Sequence, residues 1–192
     1  MSIFYNNTEI NNMYDVIYNE TNLEKIVYNG TTVWEKAFYL YKNGNMCTEN
    51  SGGWQYVKYL NSGYLDGNTS ITYNSDRMTM FAIHTGNKGN GDSSLYTKNK
   101  IDLSKYSKLC IKASGYCYGT DISDALACVF NTLPTPNNKS TYYKILQINI
   151  DNPSFFTIDI SDINIECSIG FWVYAVSGKK DAKIDIYEVW LE

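Results

Sequence analysis

Charge, histidine and proline are what this 192-residue chain has least of. A single histidine, His84, and cysteines at 47, 110, 117, 128 and 167 leave no CxxC pair and no metal-ligand spacing. No cofactor and no metal-ligating residues are therefore expected, while a structural cation held by loop carboxylate and carbonyl oxygens stays open. The lone imidazole also removes the recognisable forms of Ser-His-Asp and Cys-His catalysis. On the Met78, Met80, Ala82, His84 parity of a strand, it reads as a structural residue. An odd number of cysteines, in a chain large enough to build a core, points to buried thiols rather than a disulfide framework. Only 19% of residues are charged, the net charge is −4, and Lys179-Lys180 is the only adjacent basic pair. Nucleic-acid binding rests on basic clusters that neutralise phosphates, so no such partner is expected. No apolar run reaches membrane-spanning length, and the opening "MSIFYNN" has neither the basic nor the apolar region of a signal peptide.

What is present is a hydrophobic fraction of 44%, enough for a sizeable core, together with 22 asparagines and 18 tyrosines. Both residue types suit turns and half-buried strand faces better than helix interiors. Lysines outnumber arginines 15 to 1, and Asn, Ile and Tyr are used far more than Ala, the codon signature of an AT-rich gene.

The first 36 residues repeat themselves. "YNNTEI" at 5–10, "YNETNL" at 18–23 and "YNGTTV" at 28–33 all spell Tyr-Asn-x-Thr-x-aliphatic. Asn29-Gly30 is a strong hairpin signal, because a type I′ turn needs positive φ at both central residues. Asn6-Asn7 and Asn19-Glu20 are weaker versions of the same turn. The three N-x-T triplets are explained by turn chemistry, without glycosylation. A unit this small buries too little surface to stand alone.

From Ala37 the strands lengthen. "FYLYKNGN" carries a second Asn-Gly turn, "KLCIKASG" alternates on Leu109, Ile111 and Ala113, and "KILQINI" places Leu146, Ile148 and Ile150 inward. "FFTIDIS" does the same with Phe156, Ile158 and Ile160. Residues 163–175 keep one odd parity (Ile163, Ile165, Cys167, Ile169, Phe171, Val173, Ala175), with Gly170 a place for a bend or bulge. At the end, Ile184 and Ile186 disagree in parity with Val189 and Leu191, and a bulge near Tyr187-Glu188 would reconcile them. Only "DLSKYS" suggests a turn of helix. The expected fold is all-β: a two-sheet jelly-roll sandwich over residues 37–192, preceded by a small β-hairpin repeat unit over 1–36.

Chemistry is sparse. The loop "GNKGNG" at 86–91 lacks the Lys-Ser/Thr and the helix of a phosphate-binding loop. Asp159, Asp162 and Glu166, or Asp121 and Asp124, could supply the carboxylate pair of a small glycan-degrading enzyme. The stronger signal is aromatic. "GGWQYVKYLNSGY" holds Trp54, Tyr56 and Tyr59, while Trp172 and Tyr174 fall on the parity opposite the core. Aromatic rings on a polar face usually cover something. A sugar ring, another protein and the chain's own loops remain open as what they cover.

"YNGTTVWEK" with its two precursors resembles the tyrosine–asparagine repeats of virion structural and tail proteins from phages of low-GC bacteria. "NGNMCTENSGGW", "IDLSKYSKLCIKASG", "TIDISDIN" and "IGFWVYA" resemble the galactose-binding-like jelly-roll modules, akin to carbohydrate-binding modules, attached to such proteins. The resemblance implies a non-enzymatic virion component, made in the bacterial cytoplasm and placed in a tail, baseplate or capsid-decorating position. Residues 1–36 would attach to other virion proteins or a sister subunit through Tyr5, Tyr18, Tyr28 and Trp34, in a homo-oligomer. The sandwich would face a host-surface glycan through Trp54, Tyr56, Tyr59, Trp172 and Tyr174. The alternative is a head-decoration or assembly protein that binds no sugar.

Overall fold

A computed structural model of the chain describes residues 4–5, 8–9, 16–18, 21–23, 25–28, 31–35, 37–58, 67–84, 91–117, 124–131, 142–175 and 181–192. Its contacts divide into two compact units, Met1–Phe38 and Tyr39–Glu192.

The described residues of the first unit form three hairpins, each a separate two-stranded sheet. β1 (Phe4–Tyr5) pairs with β2 (Thr8–Glu9), β3 (Val16–Tyr18) with β4 (Thr21–Leu23), and β5 (Lys25–Tyr28) with β6 (Thr31–Glu35). In every repeat the motif tyrosine lies opposite the motif threonine: Tyr5 on Thr8, Tyr18 on Thr21, Tyr28 on Thr31. That register leaves two residues between the strands, the spacing of a tight hairpin loop. The repeat is therefore a hairpin written three times. Tyr5, Tyr18, Tyr28 and Trp34 sit on these strands, but their side chains lie outside the described residues.

The second unit is a sandwich of two antiparallel sheets, as the alternating patterns imply. One sheet has seven strands: β7 (Phe38–Lys42), β8 (Asn45–Met46), β10 (Gly67–Tyr73), β11 (Met78–His84), β14 (Lys108–Cys117), β17 (Ile150–Asp159) and β19 (Asp181–Leu191). Its main path runs β10-β11-β19-β14-β17, with β7 on β19 and β8 on β7. The other has six: β9 (Trp54–Lys58), β12 (Gly91–Thr97), β13 (Ile101–Asp102), β15 (Asp124–Phe130), β16 (Tyr142–Gln147) and β18 (Glu166–Ala175). Its path runs β16-β15-β18-β12-β9, with β13 on β18. The chain thus passes back and forth between the sheets, as in a jelly roll. Helix among the described residues is limited to α1 (Thr48–Ser51) and a 3₁₀ turn at Leu103–Lys105. The latter falls within "DLSKYS", where the Asp102 carboxylate accepts the Ser104 N–H at 3.1 Å.

Local chemistry explains the corners. Asn43 and Gly44, with φ of 46° and 83°, turn β7 into β8 with Lys42 opposite Asn45. Both central residues are left-handed, as a type I′ hairpin requires. In β19 the register shifts so that Lys112 faces Glu188 while Ala113 faces Ile186, leaving Tyr187 as the extra residue of a bulge. Ile184, Ile186, Val189 and Leu191 consequently all reach the core, and all are buried. Each such side chain contributes roughly 1.5–3 kcal/mol of burial.

Three expectations need correction. Gly170 neither bends nor bulges β18, since Ile169, Gly170 and Phe171 pair in unbroken register with Val129, Cys128 and Ala127. Its missing side chain instead lets neighbours close in. A Cβ there would lie 2.9 Å from the Leu95 carbonyl oxygen, 3.0 Å from Tyr96 Cβ and 3.1 Å from Phe130 Cε1. Ile150 is exposed rather than inward, because the chain crosses between sheets after the buried Ile148 and the parity count restarts in β17. Ile165 is exposed because it precedes β18 and lies in the turn region, not on the strand.

Candidate aromatic face

The six-stranded sheet has two faces, and the pairing registers assign every side chain to one of them. Leu95, Thr97, Ile169, Phe171 and Val173 point into the sandwich and are fully buried. Trp54 and Tyr56 pair with Thr97 and Leu95, so they share this inner face. Trp54 packs against Phe171 with ring centroids 5.9 Å apart and donates its indole N–H to the Leu40 carbonyl at 3.2 Å. Tyr56 donates its hydroxyl to Thr69 Oγ1, 3.0 Å away on the opposite sheet. Both residues tie the two sheets together. The expectation that Trp54 stands exposed is overturned: it is 6% exposed, and its one polar group is satisfied inside.

Trp172 and Tyr174 fall on the outer face, as their parity indicated. Two rows cross all five strands of the main path there. The first reads Gln147, Leu126, Trp172, Ser94, Val57, and the second reads Ile145, Cys128, Gly170, Tyr96, Gln55. Asp92 lies opposite Tyr174, and Phe130 opposite Ser168. The middle of this face is not bare. Trp172 is 2% exposed, Asp92, Ser94, Leu126, Cys128 and Phe130 are also buried, and Tyr174 and Tyr96 are half-buried. The expected exposure of Trp172 is therefore corrected as well. Its indole N–H donates to Asp92 Oδ1, and its ring lies 6.0 Å from that of Tyr174. Tyr96 meets Phe130 edge-on at 5.9 Å, in the space Gly170 leaves. Burial pushes the Tyr96 phenol and the Cys128 thiol up, so both stay protonated near neutrality.

The five aromatics thus do not converge. Trp54 and Tyr56 sit on one face of the sheet and Trp172 and Tyr174 on the other, while Tyr59 lies outside the described residues. The His84 side chain, residues 85–90 of the glycine-rich loop, and Asp121 are likewise outside them.

The carboxylates are occupied locally. Asp159 accepts from the Ser161 N–H at 3.0 Å and its hydroxyl at 2.6 Å, which lowers its pKa. Asp162 pairs with Lys144 at 2.9 Å, and Glu166 is exposed at the start of β18. Among the described residues no three His, Cys, Asp or Glu side chains gather as a metal site, and no helix is long and apolar enough to cross a membrane. None of the five cysteines forms a disulfide.

The outer face of the seven-stranded sheet holds a cluster that sequence reading missed. Trp190 lies 5.8 Å from Tyr39 and 6.2 Å from Phe155, whose ring is 70% exposed. The Lys42 and Lys112 ammonium groups stand 4.3 Å and 5.4 Å from the Tyr39 and Phe155 rings. The signal was available: Phe155 is off the parity of Ile158 and Ile160, and Trp190 lies between Val189 and Leu191.

No family model and no curated protein sequence matches the chain. Among solved structures, it is similar to a family 11 carbohydrate-binding module from Clostridium thermocellum in complex with a β-1,3-1,4-mixed-linked tetrasaccharide. The TM-score is 0.49 and the identity 12%, over 81% of this chain and 94% of that one. A mutant of the family 29 carbohydrate-binding module CBM29-2 aligns with TM-score 0.45 and 12% identity over 82% of this chain and 91% of that one. The enzymatically active domain of bacteriophage CBA120 tailspike protein 4 aligns with TM-score 0.44 and 9% identity, over 81% of this chain and 22% of that one. At these levels the sandwich assignment stands on the strand order itself.

Proposed function

We propose that the chain is a non-enzymatic structural protein of a phage or phage-like particle, and that its sandwich binds carbohydrate on a host surface. One observation carries the carbohydrate reading. On the outer face of the six-stranded sheet, the half-buried Tyr174 ring leans on Trp172, and the Asp92 carboxylate holds the indole N–H at their base. Gln55 and Gln147 lie exposed at the ends of the two rows. A sugar needs both elements, an aromatic surface for its C–H face and polar groups for its hydroxyl rim. Trp172 then serves as the floor that sets the Tyr174 ring, and Tyr174 and Tyr96 make contact. Asp159 and Asp162 are taken up by a turn and an ion pair, which favours binding over cleavage. A glycan array and titration with bacterial cell-wall polysaccharide test this. Tyr174→Ala should weaken binding about tenfold or more, the loss of roughly 1.4 kcal/mol or more of contact. No binding to any glycan by the intact chain would sink the reading.

Attachment is assigned to residues 1–36, with Tyr5, Tyr18, Tyr28 and Trp34 as contacts to other virion proteins. The support is the hairpin unit itself, since isolated two-stranded hairpins are marginal in water. Deleting 1–36 should abolish incorporation into particles while residues 37–192 keep their β circular dichroism. Normal incorporation of the truncated chain would refute the assignment.

A second reading, an assembly or decoration protein without sugar affinity, is favoured by Phe155, whose exposed ring suits a protein contact. It predicts particle binding that is lost in Phe155→Ala and indifferent to Tyr174→Ala.

A further inference from the structure

Among the described residues the six-stranded sheet ends at β16, and this edge differs from a protected one. The Ile148 N–H donates to the Ala125 carbonyl at 2.7 Å, which sets the hydrogen-bond phase of the strand. Counting back through the register of Gln147 on Leu126 and Ile145 on Cys128, Leu146 and Lys144 turn their backbone groups toward β15. Ile145 and Gln147 turn theirs outward to the open edge. The side chains of Ile145, Gln147 and Tyr143 are exposed as well.

The usual defences of an edge are a proline, an unneutralised charge pointing outward or inward, or a bulge. β17, at the edge of the other sheet, has Pro153 in its middle and Asp151 and Asp159 along its length. β16 has no proline, and its one charge, Lys144, is held by Asp162 at 2.9 Å. A register shift against Val129 and Phe130 disturbs the strand only at its beginning, leaving residues 144–147 in regular pairing.

We infer that β16 is a self-pairing edge: two copies of this chain join antiparallel through it, with the two-fold axis at Ile145. A second copy is the occupant because reversing the strand about Ile145 sets an exposed apolar side chain on itself and opposes no like charges. Ile145 meets Ile145 of the other copy and exchanges both backbone hydrogen bonds with it. Lys144 meets Leu146, so the lysines are not placed opposite each other, and Gln147 extends toward Tyr143. The two six-stranded sheets become one continuous sheet. Ile145 shares the outer face with Cys128, Gly170 and Tyr96, so this face also continues from copy to copy. Tyr174 is thereby presented twice on one surface, a bivalent arrangement suited to a repeating ligand.

Sedimentation equilibrium of the full chain at micromolar concentration is the test. An even number of copies is expected. Ile145→Lys, which opposes two charges at the axis, and Ile145→Pro, which removes only an outward N–H, should each halve the mass while leaving the thermal melt of the sandwich in place. Ile145→Cys should cross-link with itself under mild oxidation. A monomeric wild type, an assembly whose mass ignores both substitutions, or an Ile145→Cys chain that never cross-links would each overturn the inference. If Ile145→Pro fails to fold, Ile145→Lys and the cross-link decide.

Discussion

The outer faces of the two sheets obey the same alternation and end in different chemistry. On the six-stranded sheet the central outward positions Trp172, Leu126, Cys128, Phe130 and Ser94 are almost as dry as the core, and edge positions such as Gln55, Ile145 and Gln147 are exposed. On the seven-stranded sheet the outward positions carry ions: Lys112 with Glu188 at 3.4 Å, and Asp185 with Lys183 at 2.7 Å and Arg77 at 3.5 Å. Their aromatics differ accordingly. Trp172 has its N–H fixed by a buried carboxylate, while Phe155 has only the Lys112 ammonium and the Trp190 ring beside it and stays 70% exposed. Strand parity therefore decides which face a residue takes but not how deeply it is covered there: Trp172 is buried on one outer face, and Phe155 is exposed on the other.

Trp172→Ala should separate the two faces most sharply. Removing a buried indole costs about 3–5 kcal/mol when the surroundings do not collapse. The substitution also leaves the buried Asp92 carboxylate without its indole donor. Urea denaturation should show this loss in full. A loss below about 1 kcal/mol, the scale of an ordinary surface change, would mean the outer face is loosely covered and the contrast between the sheets is false.

Asp185→Ala probes the ionic face at an intermediate level. Its carboxylate accepts from Thr79 Oγ1 at 2.6 Å and pairs with Lys183 and Arg77, joining β11 to β19. Removing it takes the acceptor from Thr79, Lys183 and the buried Arg77 Nε, although the Arg77 guanidinium keeps Asp76 and the Lys183 side chain is partly exposed. The expected loss is about 1–3 kcal/mol by the same denaturation. Double substitution with Lys183→Ala should be less than additive, since the residues share one interaction. Full additivity would show that the pair contributes nothing.

Much of this architecture was legible in the residues. In all three repeats the tyrosine of Tyr-Asn-x-Thr pairs with its threonine, as the hairpin signals in the sequence imply. The bulge at Tyr187 was legible because two buried parities in one strand can be reconciled only by an extra residue. Ile150 and Ile165 were misplaced because parity holds only within a strand, and no local pattern marks where one strand ends and a crossover begins. The aromatic site was half legible. Parity sent Trp172 and Tyr174 outward, but it could not tell that Trp172 would be covered. Trp54 looked available only because "GGWQY" is polar on both sides. Its inward position follows from pairing β9 with Leu95 and Thr97, a long-range fact that no local composition records.

The smallest effect belongs to Phe155→Ala. A ring that is 70% exposed loses little on truncation, because most of its surface is already in water. Its neighbours keep their partners: Lys112 retains Glu188, and Trp190 still donates its N–H to Glu192 at 2.9 Å. The expected change in unfolding free energy is within about 0.5 kcal/mol. Set beside Trp172→Ala, this gives two aromatic truncations on outward strand positions of one domain that differ several-fold. Equal losses would mean that the Phe155 ring is covered in solution, and that coverage would have to come from another chain. Measuring Phe155→Ala at two protein concentrations resolves this: a cost that grows with concentration places the ring in an interface, and a constant small cost leaves it in water.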